Sequence, residues 1–140
     1  MTLEKFRIIH STLIEQYQYI EFNLEGIYAA VSGKDFVSGL EDVETSNIGK
    51  LILEIKKIEA QDNTTIISVE LYNRIEQARI RRNFWCHNCY VDMLFNGKGD
   101  PKKEEDIRTL MNDLREAEDL RNVLQEIKLP LMRNNPPKIF

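Results

Sequence analysis

What most constrains this chain is the apolar spacing of its amino-terminal stretch. From about Thr2 to Val31, apolar side chains fall at Phe6, Ile9, Leu13, Ile14, Tyr17, Ile20, Leu24, Ile27 and Ala30. Steps of three and four place these side chains on one face of a helix, whereas a strand needs a period of two. Such a helix is about 45 Å long. Its stripe has to be covered by other long elements, so the rest of the chain is expected to supply helices of matching length. Ser32-Gly33 fits the end, because Gly accommodates the exit geometry of a helix.

Three further helical segments emerge from the same periodicity. After a connector from Lys34 to Glu44, a second helix is expected to open near Thr45 or Ser46, both good caps, and to carry Ile48, Leu51, Ile52, Ile55 and Ile58. Asp62-Asn63 breaks it. The β-branched run Thr64-Thr65-Ile66-Ile67 has no partner strand and reads as an extended linker. A third helix is expected to start after Ser68, a candidate cap, and to reach about Phe95, and Asn96 to Gly99 forms a loop. The fourth opens at Asp100-Pro101, a cap followed by Pro at the first helical position. Its stripe is Ile107, Leu110, Leu114, Ala117, Leu120 or Arg121, Leu124 and Ile127, and Pro130 is expected to limit it. The fold class is therefore all-α, an antiparallel four-helix bundle with room for a short extra helix. The bundle should occupy residues 1–132, with an extended tail over 133–140.

At 140 residues the chain is one domain by size and can bury a core without disulfides or metal. Its formal net charge of -4 excludes a protein that coats nucleic acid by bulk charge, so any such contact must be local. The basic residues do cluster: Arg74, Arg79, Arg81 and Arg82 lie close together in the third helix. Two cysteines, Cys86 and Cys89, are too few for a disulfide framework. With no apolar leader and no long apolar span, a cytoplasmic location is expected, with no membrane partner.

The third helix carries more than a scaffold needs. Leu71, Ile75, Ala78, Trp85 and Cys89 form one apolar stripe. Phe84, Val91 and Phe95 form a second, which suggests a second burial surface and hence a homodimer. At 100° per residue, Arg79, Asn83, His87 and Tyr90 fall within a sector of about 80°, with Arg81 and Arg82 beside it. A polar line between two apolar faces is either a structural network or a site, since buried polar groups must be paired. Taken singly, a helical Arg or His is more often solvated or satisfied than functional. Cys86 and Cys89 with His87 offer three metal ligands in four residues. A structural zinc needs four, and His10 is far away in sequence, so no metal and no cofactor is expected. Both cysteines read as inert core residues.

The run Arg82-Asn83-Phe84-Trp85-Cys86-His87 resembles the signature of the HEPN superfamily: an Arg, four to six residues, then a His, often with a polar residue after the Arg. The motif lies late in the third of four helices, where that family carries it. The resemblance implies a helical bundle that dimerises with its motif helices facing one another. It further implies a metal-independent endoribonuclease of a toxin–antitoxin or antiviral defence system, or else a catalytically silent module that binds a partner protein or nucleotide. A branch of the family that pairs with nucleotidyltransferase antitoxins carries Tyr two residues after the His, where this chain has Cys89.

On this reading Arg82, Asn83 and His87 are catalytic, and Arg79, Arg81 and Tyr90 bind RNA. His87 would move a proton near neutral pH. Arg82 would clamp a phosphate through its fork of donors. Asn83, one turn before His87, would orient the imidazole or touch a phosphate oxygen. Products would end in a 2′,3′-cyclic phosphate. Partners would be RNA, a second copy of the chain, and an antitoxin or sensor protein. In a straight α-helix Arg82 and His87 lie about 140° apart, which favours a cleft shared between two chains.

Overall fold

The computed structural model describes residues 2–90 and 104–134. Among them the chain is helical with no strand, and no helix is long and apolar enough to cross a membrane. The all-α class expected from the periodicity is what these residues form.

Helix α1 (Leu3–Val31) matches the stripe that the sequence displays. Thr2 caps it, its Oγ1 accepting from the Lys5 N–H at 3.1 Å. Phe6, Leu13, Tyr17, Ile20, Leu24 and Ile27 point inward and are buried. Gly33, with φ of 79°, turns the chain out of the helix. The connector then holds an element the sequence reading passes over. Asp35 caps a short helix, α2 (Phe36–Val43), accepting from the Ser38 N–H at 3.0 Å. Here Gly39 is a packing residue. A Cβ on it would lie 2.8 Å from the Ala29 Cα, so α2 crosses α1 at a distance only Gly allows.

Helix α3 (Ile48–Asp62) starts two residues later than expected, capped by Asn47 rather than Thr45 or Ser46. Asn63, at φ 50°, ends it in the left-handed region. The linker beyond it is non-helical and is tied down by Glu59. One carboxylate oxygen accepts from the backbone N–H groups of Ile66 and Ile67 at 2.8 and 3.1 Å, and the other accepts from the Tyr72 hydroxyl. Ser68 then caps α4 (Val69–Asn83), accepting from the Leu71 N–H at 3.1 Å. A π-helical turn, Phe84–Asn88, continues α4.

Helix α5 (Glu104–Asn134) runs through Pro130 instead of stopping there. Pro removes one N–H and crowds the preceding turn, but Pro130 is exposed and near the helix end, so little packing opposes the adjustment. The expected boundary at residue 132 therefore falls inside a helix. The expected cap at Asp100-Pro101, the loop Asn96 to Gly99, and Val91 and Phe95 of the second stripe lie outside the described residues, as does the tail beyond Asn134.

Side-chain pairings give the helix directions. Glu21 and His10 of α1 meet Arg82 and the Trp85 carbonyl, so α1 and α4 are antiparallel. Arg74 and Arg81 of α4 meet Asp119 and Asp113, so α4 and α5 are antiparallel as well. Consequently α1 and α5, the two long helices, lie side by side in the same direction: Gln16 meets Arg121, and Asn23 meets Lys128. A simple up-down-up-down bundle of four places parallel helices diagonally. Here the short helix α2 supplies an additional reversal and allows the parallel pair to be neighbours.

Candidate functional site

The motif residues sit where α4 changes geometry. In the π turn the Cys89 N–H bonds the Phe84 carbonyl, five residues back instead of four. Such wide turns hold one extra residue and recur at functional sites. The smaller advance per residue takes up part of the 140° that separates Arg82 from His87 in a straight helix. It also rotates the residues beyond the turn. Tyr90 leaves the polar line and packs edge-on against Phe6 and His10 of α1, at ring-centroid separations of 6.1 and 5.2 Å. The expectation that Arg79, Asn83, His87 and Tyr90 share one narrow sector therefore does not hold for Tyr90, because it assumed an unbroken α-helix.

Of the three expected catalytic residues, Asn83 and His87 are exposed, and no hydrogen bond joins them. Arg82 faces α1. Its guanidinium lies 3.0 Å from Glu21 Oε1, with the side chains 29% and 20% exposed. That oxygen is buried and lacks an aligned hydrogen bond, so the pair is held by charge rather than by a well-directed donor. Burial pushes the Glu21 carboxyl above its usual value, and Arg82 opposes that rise. Glu25, nearby, is raised by burial and by the Glu21 charge. The exposed Cys86 thiol is likewise raised by partial burial, against the pull of Arg82, so it is not activated as a thiolate.

The four clustered arginines are each engaged with carboxylates. Arg74 reaches Glu116 and Asp119, Arg79 pairs with Glu76 on its own helix, Arg81 with Asp113, and Arg82 with Glu21. The expected free basic patch is thus a set of ion pairs. Exposed pairs of this sort are worth only ~0–1 kcal/mol, so a phosphate can displace the outer ones. Arg81 is more firmly placed. Its Nε donates to Asp113 Oδ2 at 2.7 Å, the same oxygen accepts the Trp85 indole N–H at 2.7 Å, and its guanidinium stacks over Phe84 at 5.0 Å.

Sequence reasoning missed His10. Within the widened turn, His10 contacts the Trp85 carbonyl at 2.8 Å through Nε2. A carbonyl can only accept, so the proton is on Nε2, and Nδ1 is left facing the Tyr90 hydroxyl at 3.5 Å. The Cys89 thiol donates to the same carbonyl at 3.2 Å. Both histidines of the chain therefore bear on one turn: His87 within it, His10 bracing it from α1. The signal was available only through the fold. In antiparallel helices, residue 10 of α1 comes level with residue 85 of α4.

Cys86 is exposed and Cys89 buried, so they do not converge. Among the described residues no group of three or more His, Cys, Asp or Glu side chains could hold a metal ion. In comparisons with known proteins, no family model, no curated protein sequence and no solved structure matches this chain.

Proposed function

We propose that the chain is a HEPN-type, metal-independent endoribonuclease of a toxin–antitoxin or antiviral defence system, working in the cytoplasm as a homodimer. The observation that carries the reading is the π turn that opens two residues after Arg82 and contains His87, with the His87 ring exposed to solvent. In this reading the core is the four-helix HEPN-like bundle, and α2 is the added element. His87 moves a proton, and Arg82 stabilises charge on the phosphorane. Asn83 contacts a phosphate oxygen. The substrate 2′-hydroxyl attacks the adjacent phosphorus, the bond to the 5′-oxygen breaks, and a 2′,3′-cyclic phosphate and a 5′-hydroxyl result. Arg79, Arg81 and Tyr90 complete the RNA surface, with Tyr90 reached along the α1 edge. A second chain, meeting the Phe84 side of α4, closes the cleft.

A second reading has its own observation. Arg82 is neutralised by a half-buried Glu21, and a resident carboxylate competes with any phosphate. A catalytically silent module that binds a partner protein or nucleotide would tolerate that arrangement.

Incubation of total and transfer RNA with the protein in EDTA separates the two. The ribonuclease reading expects cleavage with cyclic phosphate ends, reduced ~10²–10⁴-fold in His87→Ala, while circular dichroism remains helical. Cleavage equal to wild type in the folded His87→Ala protein would remove the catalytic assignment.

A further inference from the structure

Away from the motif face, α1, α4 and α5 enclose a cavity of about 300 Å³. Its floor is Tyr17, and its walls include Ala78, Ala117 and Leu120. Longer polar side chains, Asn73, Gln77 and the ion-paired Arg74, Arg81, Asp113 and Glu116, complete the lining. The volume is at the lower end of what ligand pockets enclose.

Two properties define what fits. The first is charge. The ionic groups around the cavity cancel locally, with Arg81 on Asp113 at 2.7 Å and Arg74 on Glu116 at 3.2 Å. An ion entering would have to break one of these pairs, so the cavity suits a neutral molecule. The second is Tyr17. It is only 2% exposed, lines the cavity, and no described residue bonds its hydroxyl. The hydroxyl is not sealed in the core: among the described residues the one buried side-chain atom without a partner is Glu21 Oε1, so the phenol opens to the cavity. Burial and the Asp113 charge hold this phenol far above its usual acid constant, so it remains a neutral donor. It faces a space where an acceptor would complete it.

We propose that this cavity binds a neutral, flat, mostly apolar small molecule, of about two fused rings, that presents a hydrogen-bond acceptor to the Tyr17 hydroxyl. Apolar ring faces would lie between Ala78 and Ala117, and the acceptor would point to the floor. The inference does not need the ribonuclease reading: none of the three catalytic residues lines the cavity, and Arg81, proposed above for the RNA surface, enters here only through its ion pair with Asp113.

Isoquinoline and naphthalene make a matched pair of probes, equal in shape, with only the first carrying a ring nitrogen. At pH 8 the full chain is titrated with each, and the backbone amide signals of Ala78 and Ala117 are followed by NMR. Isoquinoline should bind roughly 2- to 10-fold more tightly than naphthalene, the range one neutral hydrogen bond supports. Tyr17→Phe should bind both probes equally while keeping its helical circular dichroism. Ala117→Leu, which fills the cavity, should lose both. If Ala117→Leu does not fold, the Tyr17→Phe comparison decides alone. No saturable shift at Ala78 and Ala117 with either probe overturns the site. An isoquinoline preference that survives in Tyr17→Phe overturns the role of the phenol.

Discussion

The α1–α5 and α1–α4 contacts use opposite strategies for the polar groups they bury. Between α1 and α5 those groups are paired in sequence. Gln16 accepts from Arg121 at 3.1 Å, Asn23 donates to the Arg121 carbonyl at 3.1 Å, and Lys128 donates to Asn23 Oδ1 at 2.7 Å. The Lys128 and Arg121 cations also lie over the rings of Phe22 and Tyr19, each at 4.5 Å. A slip of one turn would leave several of these groups unpaired in the interior, so the ladder fixes the parallel register. Between α1 and α4 the pairing is incomplete. His10 reaches across to a main-chain carbonyl, that of Trp85, and a Glu21 oxygen lacks a directed donor. The first contact is a scaffold that resists rearrangement. The second leaves its departures from regularity beside Arg82 and His87.

The largest effect is expected from breaking the α4 side at its centre. Trp85 is 1% exposed, packs on Phe6 and Phe84, and bonds Asp113 through its indole N–H. Trp85→Ala should cost ~3–5 kcal/mol in urea unfolding. A cost under ~1 kcal/mol would mean that α1 and α5 alone sustain the fold.

A smaller effect is expected at His10. Removing it takes away the donor that reaches the Trp85 carbonyl from α1, so His10→Ala should cost ~0.5–1.5 kcal/mol. Amide hydrogen exchange should quicken first at residues 85–90. Loss within the ~0.5 kcal/mol typical of surface sites would show that the π turn stands without its brace.

The smallest effect sharpens the scaffold side and is visible only against pH. Burial disfavours the Lys128 cation and lowers its pKa below the ordinary 10.5. The unfolded chain then holds the proton more tightly than the folded one in the window between those two values. Folding stability should therefore rise as pH climbs from the folded value toward 10.5. Lys128→Met should abolish that rise. The difference between the two pH profiles isolates Lys128 from tyrosines, whose raised values act in the opposite direction and at higher pH. Identical profiles would mean that the ammonium reaches water when Asn23 holds it.

Local chemistry was legible in the sequence where local chemistry decides the structure. The stripe of α1, the cap Ser68, and the exits at Gly33 and Asn63 all derive from residue type and spacing. Helix α2 was read as connector because its reason lies elsewhere, in the close approach of Gly39 to Ala29. The α1–α5 register rests on residues 105 positions apart. At the site, spacing led to Arg82 and His87, but a projection at 100° per residue cannot contain a π turn. That single departure accounts for the displacement of Tyr90 and for the hidden role of His10. The carboxylates facing the arginines were equally out of reach, since three of the four arginines find partners on another helix.

Glu59 bears on the order in which the chain can assemble. By gripping Ile66, Ile67 and Tyr72 it closes contacts that span 7, 8 and 13 residues, and so shapes α3, the linker and α4 into a helical hairpin. Joining α1 to α5 requires closing loops of 105 residues. Loop entropy grows with length, and the difference between these closures is about 2 kcal/mol. The hairpin can thus form from neighbours alone, before the ends of the chain have met. The long parallel pair is then completed around a template whose middle is already in place.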